Sequence, residues 1–141
     1  MADKSDQRLY RIIDANFNRA REGLRVCEDV CRFVYDQRAR TGRYKRIRHR
    51  LTDILKRWDI DRMVAARQTS RDVGRASEPS ELKRRHLRDI FMANSQRVKE
   101  SVRVLEELAK LIDVKSARDL KSLRYRVYIL EQEVFRGFSR S

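Results

Sequence analysis

The chain has 141 residues, a formal net charge of +14, and only two cysteines. This length predicts one domain with a sizeable core, and two cysteines are too few for a disulfide framework. No apolar run approaches the roughly 18 residues of a membrane span, and the start lacks a signal-type segment, so we expect a cytoplasmic protein. With 4 glycines, 1 proline and no strand-like alternation, the composition predicts an all-α fold.

Apolar residues at helical spacing predict four helices, over about residues 7–36, 43–58, 80–112 and 116–135. The seam of the first helix is formed by Ile13, Phe17, Ala20, Leu24, Cys27, Cys31 and Val34. The linker at 59–79 reads as a short helix followed by a loop. Pro79 and the acidic Glu81 indicate that the third helix begins at Ser80.

Two segments of the chain repeat. "ANFNRAREGLRVCED" from Ala15 returns as "ANSQRVKESVRVLEE" from Ala93, and "YKRIRHRL" from Tyr44 returns as "LKSLRYRV" from Leu120. A small difference in loop length accounts for the unequal offsets. We therefore predict a single domain built as an internally duplicated helical bundle, with two long-plus-short helix pairs related by a pseudo-two-fold axis. The first repeat covers about 7–58 and the second about 80–137.

Several polar side chains fall within the apolar arcs of these helices on a helical wheel. They are Asn16, Arg19 and Arg48 in the first repeat, and Asn94, Arg97 and Arg124 in the second. A buried guanidinium without a partner costs several kcal/mol, roughly, so each must meet a carboxylate or an anionic ligand. Two interpretations stay open: a buried ion-pair network that uses Glu22 and Glu100, or a crevice that receives an anion beside the small Gly23 and Ser101.

The segment "RQTSRDVG" is a polar connection that contains Arg67, Asp72 and Gly74. An aspartate in such a loop can hold Mg²⁺ or accept a proton, and it can equally form an Asx-turn. The spacing alone favours the turn. No Gly-rich phosphate loop or dinucleotide fingerprint occurs in the chain.

Two further pairs of residues have a structural interpretation. Cys27 and Cys31 are one helical turn apart, but they lie on the seam with no histidine or aspartate pair beside them, so we assign them to the core. Arg25 and Arg103 point away from the seam, which predicts surface ion pairs with nearby acids or dimer contacts.

Together these motifs resemble a small bacterial family, the second, non-homologous type of hydroxymethylpyrimidine phosphate kinase. The combination of ANxNRAxEGLRVxED and ARxTxxDVG carries the resemblance, which spans about residues 9–133. In that family the domain occurs alone or in front of thiamin phosphate synthase, and we expect the present chain to be the standalone form. The second copy departs from the first motif at Ser95, Gln96 and Ser101, so the two copies need not do equal work.

The resemblance implies ATP-dependent phosphorylation of 4-amino-5-hydroxymethyl-2-methylpyrimidine phosphate to its diphosphate, with Mg²⁺. We expect phosphate clamps from arginine side chains, pyrimidine or phosphate recognition by asparagines, and metal binding by carboxylates. The clamps would be Arg19, Arg97, Arg48, Arg124 and Arg67. The asparagines are Asn16 and Asn94, and the carboxylates are Asp72, Glu22, Glu100 and Asp29.

Two other classes of function compete with a kinase. The charge of +14 suits a helical nucleic-acid-binding module, although 21 acidic residues are interspersed with the basic ones and argue against it. The chain could instead be a non-catalytic partner of thiamin phosphate synthase, with arginines that only bridge helices. The broad apolar arcs are compatible with a homodimer.

Overall fold

Five α-helices make up most of residues 4–138, which are the residues described by the computed structural model, apart from the side chains of residues 4, 5, 80 and 81. The helices are α1 (Lys4–Asp29), α2 (Arg38–Leu55), α3 (Ile60–Ala65), α4 (Leu87–Ala109) and α5 (Val114–Phe138). A π-helical turn at Val30–Val34 follows α1, and 3-10 turns lie at Thr69–Arg71 and Pro79–Leu82. No strand occurs in this part of the chain, so the all-α prediction is confirmed.

The four long helices pack as an antiparallel bundle. In the centre, the Cys27 thiol donates to the Phe91 carbonyl at 3.8 Å, while Gly23 lies against Asn94 and Val98. The later residue of α1, Cys27, contacts the earlier residue of α4, Phe91, while the earlier Gly23 contacts the later Asn94 and Val98. The two helices are therefore antiparallel. Each long helix also packs against the helix that follows it, α2 or α5.

Gly23 allows the closest approach between α1 and α4. A Cβ atom at this position would lie 2.7 Å from Val98 Cγ2 and 2.9 Å from the Asn94 carbonyl oxygen. Both distances are shorter than ordinary van der Waals contact. The small residue at this point of the first repeat therefore serves helix packing, and the structure leaves no room for a ligand beside it.

The predicted core faces of α2 and α5 are confirmed. All of the residues predicted to face inward are buried: Tyr44, Ile47, Leu51, Ile54 and Leu55 in α2, Trp58 just beyond its end, and Leu120, Leu123, Val127, Leu130 and Val134 in α5. The seam of α1 is confirmed except at Val34, which is 44% exposed. The π turn explains the exception, because its wider hydrogen-bonded loop rotates the end of the helix away from the α-helical periodicity. Among the described residues, no helix is long and apolar enough to cross a bilayer.

The predicted start of the third helix at Ser80 is wrong. Residues Pro79–Leu82 form a single 3-10 turn, and the long helix begins at Leu87. The Asp89 carboxylate accepts hydrogen bonds from the backbone N–H groups of His86 and Arg85, at 3.0 and 3.2 Å. This contact satisfies donors that every helix N-terminus leaves unpaired, and so fixes the start seven residues later than predicted.

Candidate functional site: a cationic pocket on the first long helix

A pocket of about 710 Å³ lies between α1 and the linker that follows α3. Two segments line it. From α1 come Arg8, Arg11, Ile12, Asp14, Ala15, Asn16, Asn18, Arg19 and Glu22, and from the linker come Arg67, Gln68, Thr69 and Asp72. Five of the predicted site residues, Asn16, Arg19, Glu22, Arg67 and Asp72, are therefore brought together here.

Three arginines of α1 in this pocket form no ion pair with any residue that the structure describes. Arg8, Arg11 and Arg19 recur at intervals of three and eight residues, which places them along one side of the helix. Arg19 Nη1 lies 3.5 Å from Asn16 Oδ1, and this is its closest polar contact. Unpaired guanidinium groups in a concave surface create a positive potential that attracts phosphate.

The fourth arginine of the pocket, Arg67, is held by a buried acid. Its Nε donates to Asp14 Oδ2 at 2.7 Å, and its Nη2 donates to Asp14 Oδ1 at 2.9 Å. Asp14 is only 7% exposed, whereas the Arg67 side chain is 44% exposed. The hydrogen bonds to Asp14 raise the pKa of Arg67, so the guanidinium stays charged. The pair attaches the linker to α1 beside the free arginines.

The two asparagines predicted to read the ligand use their amide N–H groups within their own helices. Asn16 Nδ2 donates to the Ile12 carbonyl at 2.9 Å, and Asn94 Nδ2 donates to the Ile90 carbonyl at 2.8 Å. In the first copy the amide oxygen is thereby turned towards Arg19. Asn94 does not line the pocket.

The five arginines predicted as phosphate clamps do not lie together, because Arg48 and Arg124 pair with buried glutamates away from the pocket. Arg48 Nη2 lies 3.2 Å from Glu28 Oε1, and Arg124 Nε lies 2.8 Å from Glu106 Oε2. Both glutamates are nearly inaccessible, at 2% and 3% exposure. The sequence suggested Glu22 and Glu100 as the acids that neutralise Arg19 and Arg97, but neither pair forms among the described residues, and the buried acids are Glu28 and Glu106.

Each of these glutamates also binds an exposed arginine of its own helix. Arg25 Nη1 lies 3.0 Å from Glu28 Oε2, and Arg103 Nη1 lies 3.1 Å from Glu106 Oε1. The predicted ion pairs of Arg25 and Arg103 with nearby acids are thus confirmed. The two networks have the same arrangement in both halves, and each joins α1 or α4 to the helix that follows it, α2 or α5.

The remaining predicted residues of the second copy lie apart from the pocket. Arg97 is exposed on α4 and forms no ion pair with a described residue. Glu100 accepts a hydrogen bond from Gln96 Nε2 at 3.0 Å. Asp29 is the last residue of α1 and does not line the pocket either. Of the two copies, only the first therefore contributes to the pocket, together with the linker.

The predicted metal ligands Glu22, Glu100 and Asp29 do not form a cluster. Within the described residues, no three His, Cys, Asp or Glu side chains come together in a way that could hold an ion. Asp72 Oδ1 accepts a hydrogen bond from the Gly74 N–H at 3.0 Å, which confirms the turn favoured by the sequence. Asp72 Oδ2 and the Glu22 carboxylate form no hydrogen bond with any residue that the structure describes, and Asp72 and Glu22 both line the pocket. Two such carboxylates fit a magnesium ion, which needs one or two when phosphate oxygens complete its coordination.

Among the pocket residues that the sequence analysis missed are Arg8, Arg11, Asp14 and Asn18. Asp14 lies about 160° from Asn16 on the helical wheel, outside the apolar arc, so it reads as a surface residue. It is buried because the linker folds back over that side of α1. Comparison of the repeats offered a signal, since Met92 and Gln96 stand where Asp14 and Asn18 would recur.

Both cysteines are buried free thiols, which confirms their assignment to the core. Burial raises the pKa of Cys31 to about 11, and it raises the pKa of Cys27 further. A buried thiol with a raised pKa is protonated near neutral pH and is therefore a poor nucleophile and a poor metal ligand.

Comparison with known proteins gives a family match over most of the chain. The model of the ThiD2 family matches residues 11–133. Curated relatives include the thiamine-phosphate synthases of Thermosynechococcus vestitus, Synechocystis sp. and Rhodopirellula baltica. Their identities to this chain are 48% over 127 residues, 43% over 132 and 35% over 135.

These alignments cover 89%, 93% and 95% of this chain, but only 35%, 37% and 36% of the relatives. The chain thus spans about a third of the length of the curated relatives it matches. No solved structure shows a significant match. On the family match and the relatives together, the chain belongs to the ThiD2 family.

Proposed function

We propose that the chain is an ATP-dependent kinase that converts 4-amino-5-hydroxymethyl-2-methylpyrimidine phosphate to its diphosphate. Membership of the ThiD2 family and relatives named thiamine-phosphate synthase support a step in thiamin biosynthesis. The observation that carries the kinase proposal is the pocket itself, in which Arg8, Arg11 and Arg19 form no ion pair within the described part of the chain and Arg67 is held beside them.

The proposed reaction needs positioning more than acid–base chemistry. A phosphate oxygen of the monophosphate attacks the γ-phosphorus of ATP and forms a new P–O bond. The bond from that phosphorus to the bridging oxygen breaks, and its electron pair leaves on ADP. Because the attacking oxygen is already anionic, the protein chiefly has to hold two negatively charged groups in line.

The free guanidinium groups suit this task. Each presents several N–H donors to phosphate oxygens and offsets the repulsion between the two anions. Magnesium, when bound, would neutralise phosphate charge, and Asp72 and Glu22 are the carboxylates available to hold it. The polar side chains of Asn18, Gln68 and Thr69 provide hydrogen-bonding groups for the pyrimidine ring.

The test compares aligned arginines inside and outside the pocket. ADP release is measured with ATP, Mg²⁺ and the monophosphate for the wild type, Arg19→Ala and Arg97→Ala. We expect kcat/KM to fall roughly a hundredfold for Arg19→Ala, as for loss of one charge-stabilising donor, and to stay near wild type for Arg97→Ala. Both side chains are exposed, so neither change should prevent folding.

Two results would contradict the proposal. One is a wild-type protein that releases no ADP although it binds both ligands, which would instead support a non-catalytic partner of the synthase. The other is an equal loss of activity in both variants, which would show that the reaction does not take place in the α1 pocket.

A further inference from the structure

We propose that Asp14 is a positioning residue: it holds the Arg67 guanidinium so that the remaining N–H groups face phosphate bound in the pocket. The inference depends on the proposed function only for the class of ligand, an anion with phosphate oxygens. Asp14 lies outside the residues singled out by sequence.

The contact between the two side chains leaves half of the guanidinium available. Asp14 occupies Nε and one N–H of Nη2, and an arginine carries five such donors. Nη1 makes no hydrogen bond with a described residue. Since a two-pronged pair fixes the plane of the guanidinium, the direction of the Nη1 donors is fixed as well.

Asp14 is itself held in place on the far side of this contact. Asn18 Nδ2 donates to Asp14 Oδ1 at 3.2 Å and to the Asp14 carbonyl at 3.0 Å. The residue lies within α1, the most extensively packed helix of the bundle. Arg67, by contrast, belongs to an exposed linker. A rigid helix thus orients a side chain from a segment with little packing of its own.

If Asp14 did not position Arg67, its neutralisation would have the opposite effect on phosphate binding. A carboxylate close to an anion site repels the anion, by an amount that is substantial at the effective dielectric of a protein surface. If Asp14 only added negative charge, its neutralisation would strengthen phosphate binding. If it positions Arg67, the same change weakens binding, because Arg67 loses its two-pronged acceptor and swings into solvent.

A second ion pair, between α1 and α3, provides a matched control. Arg62 Nη2 lies 3.3 Å from Asp6 Oδ2, and this pair attaches α3, the helix that precedes the linker, to α1. Neither residue lines the pocket. Asp6→Asn therefore removes one charge and one ion pair of α1, as Asp14→Asn does, without affecting the orientation of Arg67.

The experiment measures binding of inorganic pyrophosphate to the full chain by isothermal titration calorimetry. We expect Asp14→Asn to raise Kd about tenfold, while Asp6→Asn leaves Kd within about twofold of wild type. Arg67→Lys, on the exposed linker, serves as the second variant, because a lysine cannot form the two-pronged pair. It should raise Kd by a similar factor, and adding Asp14→Asn to it should cause no further loss.

The inference is overturned if Asp14→Asn strengthens binding, or if Asp6→Asn weakens it equally. It is also overturned, together with the proposed function, if the wild type does not bind pyrophosphate. If the wild type binds pyrophosphate but releases no ADP, the kinase proposal is rejected. Weaker pyrophosphate binding by the Asp14→Asn variant would still support the positioning role of Asp14.

Discussion

The two halves of the bundle share their bracing contacts but differ in what their long helices present to solvent. Arg8 and Arg11 line the pocket from within α1, and the positions aligned with them are His86 and Asp89, where α4 begins. The first long helix is therefore helical along a stretch that is loop in the second. Arg8 lies on this extra stretch of α1, whereas Arg11 aligns with Asp89 in the first turn of α4.

The same contrast holds one turn farther along the helix. Asp14 binds Arg67, whereas the aligned Met92 borders a mainly apolar depression together with aromatic residues of α5. The buried networks around Glu28 and Glu106, however, are equivalent in both halves. The comparison teaches that the matched glutamate–arginine networks hold both halves of the bundle together, while Arg8, Arg11 and Asp14, which have no counterpart in the second half, set the pocket of the first half apart.

The largest expected effect tests whether the buried networks around Glu28 and Glu106 contribute equally to stability. Glu28→Gln and Glu106→Gln each leave arginines without their shared carboxylate. We expect each substitution to lower the free energy of unfolding by about 3 kcal/mol, because it leaves the partner arginine as a largely buried charge without a counter-ion. Urea denaturation of the purified variants measures the effect, with Asp53→Asn on the exposed face of α2 as control.

The losses from the two glutamates should agree within about 1 kcal/mol and should add in the double variant, because the networks lie in different helix pairs. A loss confined to one half would break the equivalence. The exposed control should change stability by less than about 0.5 kcal/mol.

A smaller effect is expected where the halves differ in packing. Gly23→Ala places a Cβ atom 2.9 Å from the Asn94 carbonyl oxygen, and this backbone atom cannot move aside as a side chain can. Alanine favours a helix by about 1 kcal/mol over glycine, but overpacking costs about 1–3 kcal/mol, so we expect a net destabilisation. The midpoint of thermal unfolding measures it.

The aligned change in the second half, Ser101→Ala, removes a hydroxyl that donates within its own helix, to the Arg97 carbonyl at 2.6 Å. It should be nearly neutral. A stabilised Gly23→Ala variant would contradict the close approach of α1 and α4.

The smallest effect concerns the start of α4 and depends on pH. Backbone hydrogen bonds from His86 and Arg85 hold the pKa of Asp89 below its ordinary value of 3.8. A group whose pKa is lower in the folded state stabilises the fold at pH values above its unfolded-state pKa. This stabilisation is lost as the pH falls through the folded-state pKa. The melting temperature of the wild type should therefore be higher than that of the Asp89→Asn variant at pH 7, and this difference should shrink below about pH 4.

Arg11→Gln, at the aligned position of α1, is the matched variant. It should weaken pyrophosphate binding and leave the melting temperature unchanged, whereas Asp89→Asn should do the reverse. A melting difference for Asp89→Asn that stays constant down to pH 2 would exclude the carboxylate as its source.

The sequence was sufficient for the features that depend on local periodicity. Tyr44, Leu51, Leu123 and Leu130 could be placed in the core because helical spacing alone determines which face they occupy. The internal duplication stays a prediction from the aligned segments. The start of α4 was misplaced because Pro79 resembles a helix start, although Asp89 satisfies the N-terminal donors farther along the chain.

The site was only partly predictable because its partners come from distant segments. Arg48 was correctly identified as needing an anion, but a helical wheel cannot show that Glu28, on another helix, supplies it. Asp14 looked exposed on its own helix, and only the path of the linker buries it. The motifs around Arg19 and Arg67 indicated the pocket because both segments contribute to its wall.

The protonated thiols in the middle of the bundle give the chain an internal reporter of its opening. Cys27 lies at the contact between α1 and α4, and it is neither accessible nor ionised while these helices stay together. A disulfide reagent added at neutral pH can react there only after the helices separate. The labelling rate therefore measures how often the interface opens, and a ligand that bridges α1 and the linker should leave that rate unchanged unless it also steadies the interior.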